Sequence, residues 1–139
     1  MYLLDTNVIS ELRKVRAGKA DSGVARWAET VDAGQLFASV IAIEEIEIGI
    51  LRLERRDAAQ GRVLRRWLDE YVLPAFEGRI LAMDLPVARA SAQFHVPDPA
   101  PFRDALIAAT AMVHGMTVVT RNTDDFKATG VSLLNPWMD

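Results

Sequence analysis

The chain has no cysteine and only two histidines, His95 and His114. A disulfide framework and a thiolate metal site are therefore excluded, and two scattered imidazoles cannot make a metal triad. Any metal must be held chiefly by oxygen. No apolar run is long enough to span a membrane, and the opening Met1-Tyr2-Leu3-Leu4-Asp5 lacks the basic region and apolar stretch of a signal peptide. The expectation is a soluble, cytoplasmic protein in a reducing compartment, with no membrane partner. A glycine-rich phosphate loop, an internal repeat, a low-complexity tract and a linker are also missing. Nor is there an excess of positive charge: a formal net charge of −3 argues against nucleic-acid binding driven by overall basicity.

What is present is a 139-residue chain that is half apolar, enough for one compact domain over residues 1–139. Tyr2 to Leu4 reads as a short buried strand, and Asp5-Thr6-Asn7 supplies capping side chains for a helix through Val8 to Leu12. A helix follows over Val24 to Val31, then a strand over Leu36 to Ser39. Ile43, Ile46, Ile50 and Leu53 recur at helical spacing and define a core-facing stripe. Arg62 to Leu73 reads as an amphipathic helix stopped near Pro74, Arg79 to Met83 as a third strand, and Val87 to Phe94 as a helix entered through Pro86. The proline-rich stretch Val96 to Pro101 is a loop that leads into an alanine-rich helix from Phe102 to about His114, closed by Gly115. Met116 to Thr120 reads as a β-branched strand and Ser132 to Leu134 as the last one. Strands and helices alternate, which predicts an α/β/α sandwich: a central parallel sheet flanked by helices, with ligands beyond the carboxyl ends of the strands.

Three acids fall near that rim. Asp5 follows the first strand, Glu45 lies early in the helix after the second, and Asp104 lies in the first turn after the proline-rich loop. Carboxylates forced together repel one another and need protons or a divalent cation to coexist. Oxygen donors without cysteine or histidine point to Mg²⁺ or Mn²⁺. Such a site can polarise a phosphate oxygen and activate water for phosphodiester hydrolysis. Plainer readings stand beside this one. Asp5 also reads as a helix cap, Asp104 as a complement to its helix dipole, and Glu44 and Glu47 compete with Glu45. Helical geometry favours Glu45, which lies off the apolar stripe on the side of Gly49, where a missing side chain leaves room for a backbone or ligand. The polar string Thr120-Arg121-Asn122-Thr123-Asp124-Asp125 reaches the same rim. Trp27, Trp67 and Trp137 read as core anchors. The basic clusters Arg13 to Arg16, Arg52 to Arg56 and Arg62 to Arg66 read as solvated helix faces, with those near Arg13 or Arg52 also available to guide a phosphate backbone.

Together these stretches resemble the PIN-domain family, in particular the VapC and FitB type toxin ribonucleases. Leu3-Leu4-Asp5-Thr6-Asn7-Val8-Ile9-Ser10-Glu11 resembles the family's opening motif, and Ser39 to Gly49 its second, whose register selects Glu45. Asp104-Ala105-Leu106-Ile107-Ala108-Ala109-Thr110-Ala111 resembles the third. At the fourth, this chain has Asn122 where some members carry an aspartate directly after the arginine, so either Asp125 supplies the acid or Asn122 acts through a coordinated water; Asp124 is the weaker candidate. The resemblance implies an Mg²⁺- or Mn²⁺-dependent endoribonuclease, with Asp5, Glu45 and Asp104 as metal ligands and Asp125 beside them. Thr6, Asn7, Ser39, Thr120 and Asn122 would hold those ligands in place. It also implies a homodimer, an RNA substrate, and inhibition by a small antitoxin through which operator DNA is bound. Two rivals remain: a haloacid-dehalogenase-like phosphohydrolase, disfavoured because Asn7 stands where its second acid belongs, and a non-catalytic scaffold that acts through antitoxin and operator DNA.

Overall fold

In the computed structural model, which describes residues 1–138, the strands are β1 (Tyr2–Leu4), β2 (Leu36–Ser39), β3 (Ile80–Leu81), β4 (Thr117–Val119) and β5 (Leu133–Leu134). They form one sheet in the order β3-β2-β1-β4-β5, with every neighbouring pair parallel. Parallel strands cannot be joined by tight hairpins, so helices fill each connection between β1 and β4. Strand β1 lies at the centre, with Leu3 opposite Phe37 on one side and Val118 on the other. Side chains alternate across it. Leu3 and Val118 face a cluster with Ile107, Ala108, Ala111 and Phe126, whereas Leu4 and Val119 face Val8, Ile9, Ala42, Ile46 and Ile50. This is the predicted single α/β domain, a parallel sheet between two helical layers. The chain winds outward from β1 to β3 and then returns to place β4 on the far side of β1. That reversal opens a crevice beyond the carboxyl ends of β1 and β4.

Short polar side chains start the helices. Asp5, Asp21 and Ser39 accept backbone N–H bonds at the beginnings of α1 (Thr6–Leu12), α2 (Ser22–Thr30) and α3 (Val40–Arg56), and Asp57 does so for α4 (Ala58–Trp67). The helical run that begins at Ala58 ends at Ala75, one residue past Pro74 and close to the expected stop. It widens into a π-helical turn over Leu68–Val72 and resumes as α5 (Leu73–Ala75). Pro74 sits in the first turn of α5, where its missing N–H leaves no bond unmade. The expected third strand over Arg79 to Met83 contracts to β3, because β2 ends at Ser39, opposite Leu81. Asp84 caps α6 (Leu85–Gln93), Pro101 precedes α7 (Phe102–His114), and Gly115 closes α7 at φ 67°. The three tryptophans pack against the α1/α3 side of the core, with Trp27 edge-on to Tyr2 at 5.5 Å.

Two glycines divide differently from the sequence reading. Gly49 faces open space, with nothing within 4 Å of a Cβ built there, so no backbone approaches α3 at that point. The close approach is at Gly61, where a Cβ would lie 2.7 Å from the Cα of Glu54 as α4 folds back on α3.

Candidate active site

Asp5 is the first residue beyond β1, and its position is fixed from both sides. Its backbone N–H donates to the Val119 carbonyl at 2.9 Å, which carries the sheet ladder to the lip of the crevice. Its Oδ1 accepts from the Thr6 N–H at 2.8 Å, and its Oδ2 accepts from the Thr120 hydroxyl at 2.8 Å. Asn7 reaches the same carboxylate at 3.4 Å and accepts the Arg121 N–H at 3.2 Å. Thr120, fully buried, also accepts the Asn122 N–H at 3.0 Å. Thr120 and Asn7 thus tie the loop after β4 to the start of α1. Asp5 is only 6 % exposed, and burial raises its pKa against the three hydrogen bonds that favour the carboxylate; the charge of Asp125 raises it further.

Glu45 and Asp104 enter the same crevice from α3 and α7. A cavity of about 630 Å³ is lined by Asp5, Glu45, Asp104, Thr6, Asn7 and Asn122, with Pro101, Phe102 and Arg103 on its remaining wall. Burial, and then the charge of Asp5, raises the pKa of Glu45. Burial together with the charges of Asp5, Asp125 and Glu45 pushes Asp104 up to about 6, which places its titration near neutrality. Arg103 opposes both shifts; its guanidinium lies 3.7 Å from the Glu45 carboxylate. The Thr6 hydroxyl steadies the charged form of Glu45 but makes no hydrogen bond of regular geometry, leaving a buried oxygen without a settled partner.

The fourth stretch divides among its residues. Asn122 lines the cavity, and the charge of Asp125 is felt at both Asp5 and Asp104. Asp124 turns outward into an ion pair with Lys127 at 2.5 Å. Ser39 is outside the cavity lining: its Oγ accepts from the Ile41 and Ala42 N–H groups at 3.0 and 3.3 Å, fixing the start of the helix that carries Glu45. Sequence reading did not single out Arg103 or Phe102. Their only signal was adjacency to Asp104, because residues flanking the first turn of a helix share its rim.

The donor set suits a hard divalent cation: three carboxylates of raised pKa, the amides of Asn7 and Asn122 and an unpartnered hydroxyl, all offering oxygen. Among the described residues, however, no three His, Cys, Asp or Glu side chains are drawn within reach of a single ion. The acids share one cavity without being closed into a cage.

A second groove lies elsewhere. It measures about 680 Å³ and presents Leu12, Trp67, Tyr71 and Val72 beneath four arginines, Arg13, Arg16, Arg66 and Arg79. Arg13 and Arg16 lie over the rings of Trp67 and Tyr71 at 5.9 and 5.6 Å. Arg13 therefore borders this groove; the cation at the acidic cavity is Arg103.

A family model described as PIN domain matches residues 2–131. The chain is 37% identical to Toxin FitB of Neisseria gonorrhoeae over the whole of both chains. It is likewise 37% identical to VapC ribonuclease Y4jK of Sinorhizobium fredii, covering 99% of this chain and 98% of that one. A solved structure of FitAB bound to an IR36 DNA fragment superposes with a TM-score of 0.87 at 36% identity, covering 99% of this chain and 96% of that one.

Proposed function

This chain belongs to the PIN-domain family, among its FitB and VapC toxins, and on that premise we propose that it is a divalent-cation-dependent endoribonuclease, the toxin of a toxin-antitoxin pair. The observation that carries this reading is the convergence of Asp5, Glu45 and Asp104 on one cavity at the carboxyl ends of a parallel sheet, where burial and then the charges of Asp5, Asp125 and Glu45 raise Asp104 to about 6. Asp5, Glu45 and Asp104 would hold Mg²⁺ or Mn²⁺, with Asp125 and Asn122 beside them. A cation bound there supplies Lewis acidity toward a phosphate oxygen and lowers the pKa of water. The rest falls to the chain itself. Thr120, Thr6 and Asn7 hold the Asp5 carboxylate in one orientation, and Ser39 sets the helix register that aims Glu45. Arg103 offers a guanidinium to the phosphate. Single-stranded or looped RNA suits a recessed site, because an unpaired backbone can reach into it.

The partner we propose is a small antitoxin that joins the toxin to operator DNA, a reading supported by likeness to a FitAB complex on DNA. The arginine-rimmed groove suits an apolar segment bearing acidic side chains. A homodimer and a cytoplasmic location complete the proposal. The non-catalytic scaffold stays in play because the acids are not closed into a cage, and one experiment separates the two. Purified chain freed of partner should cleave single-stranded RNA when Mg²⁺ or Mn²⁺ is added, stop when it is chelated, and lose cleavage in Asp5→Asn. Calorimetry that finds no Mn²⁺ binding, with no cleavage at any cation level, would leave only the scaffold.

A further inference from the structure

Phe102 is an aromatic ring that lies outside both hydrophobic clusters of the core. It is 73 % exposed, yet it forms part of the acidic cavity's wall, two residues before Asp104. The ring is backed on one side by His95, with ring centroids 4.9 Å apart and planes tilted by 38°. His95 is in turn anchored, its Nδ1 accepting the Ala100 N–H at 3.2 Å. Pro101 precedes the ring at the entry to α7. The result is an aromatic face held in place at the mouth of the cavity and open to solvent. The next residue, Arg103, carries the cation nearest the carboxylates.

We propose that Phe102 and Arg103 form a nucleotide-holding lip: the base beside the scissile phosphate stacks on Phe102 while Arg103 takes the phosphate's charge. This rests on the nuclease reading above and names the part of the RNA that the chain grips. RNA is favoured over a protein partner as the occupant because ring, cation and carboxylates all line the same cavity. A stacking surface, a positive charge and an acidic pocket within one cavity answer a nucleotide's base, its phosphate and the cation that phosphate brings. A flat ring accepts any base, so the lip confers affinity and register rather than sequence preference. The base must be unpaired to stack there, which selects single strands and loops.

The test uses the full-length chain carrying Asp5→Asn, so that RNA is not consumed, with fluorescein-labelled hexauridylate as probe. Fluorescence anisotropy should show Phe102→Ala weakening binding by about 5- to 150-fold, the range for loss of one stacked base. Phe102→Trp should bind at least as tightly as the parent. A set of hexamers with one abasic nucleotide should contain a position at which parent and Phe102→Ala bind alike. Equal affinity of parent and Phe102→Ala for the intact hexamer overturns the proposal. So does no hexamer binding at all, a Phe102→Ala loss that is the same on every abasic hexamer, or a loss that follows dissociation of a dimer in sedimentation. Binding through Phe102 by a chain that never cleaves would refute the nuclease reading alone; cleavage indifferent to Phe102 would discard only the lip.

Discussion

Thr120 serves two loops with one hydroxyl: it donates to Asp5 and accepts from the Asn122 N–H. Replacing it with valine keeps the shape and removes both bonds, leaving the buried Asp5 carboxylate with only the Thr6 N–H and Asn7 as donors. Thr120→Val should cost about 1–3 kcal/mol in urea denaturation and weaken Mn²⁺ binding, read by calorimetry. Asp104 gives a pH signature. Its folded-state pKa of about 6 lies above the ordinary 3.8, so the folded chain holds this proton more tightly than the unfolded one. The stability it lends is complete below 3.8 and is lost as pH rises through 6. Without added cation, Asp104→Asn should therefore match the parent near pH 4 and exceed it at pH 8, by on the order of 1 kcal/mol once solvent screening is allowed for. Chemical denaturation at the two pH values checks it; an advantage that shrinks toward pH 8 would contradict the sign. Asp5 and Asp104 could be picked out in the sequence because acids at strand and helix ends stand out against apolar runs, whereas Glu45 had to be separated from Glu44 and Glu47 by helical geometry and by the family's motif register. Arg103 and Phe102 could not, since nothing local distinguishes a rim arginine or an exposed ring from surface decoration.

Among the elements, α3 carries Glu45 and depends on two distant details. Its first turn hangs on Ser39, and Ser39→Ala should cost about 1 kcal/mol while lowering cleavage through a misaimed Glu45; Ser39→Asp should restore most of both, read by thermal unfolding and RNA cleavage. Its far half is clasped by α4, with Arg65 reaching Glu47 at 2.6 Å and Glu54 at 3.4 Å. There the absent side chain at Gly61 lets the helices meet. Gly61→Ala should destabilise the chain by about 1–3 kcal/mol, even though alanine is the better helix former, because the new methyl collides with backbone rather than with a flexible tip. The alternating order, the caps and the alanine-rich α7 were readable from periodicity and capping chemistry. The widened turn just before Pro74 was not: Leu68 and Val72 both enter the core from a π-helical turn, and ordinary helical periodicity does not mark such a turn. Gly49 and Gly61 were likewise indistinguishable in sequence, since which glycine meets a neighbour is decided by how two helices cross.

For the molecule as a whole, the acidic cavity is a repulsion that the fold sustains and a cation would relieve. Ligand that binds only the folded state stabilises it, by about 2.7 kcal/mol at a hundredfold excess over the dissociation constant. Mn²⁺ or Mg²⁺ should therefore raise the melting temperature of the parent and leave Asp5→Asn nearly unmoved; equal shifts in both would place the ion elsewhere. The bond from Thr120 to Asp5 spans 115 positions, and the strand that delivers Thr120 is itself held by Leu134, whose carbonyl accepts the Thr120 N–H. A nascent chain consequently carries Asp5 through more than a hundred further residues of synthesis before its partner Thr120 is made. A translation product that stops short of residue 120 lacks that clasp altogether, and its Asp5 carboxylate keeps only donors from its own end of the chain, the Thr6 N–H and Asn7.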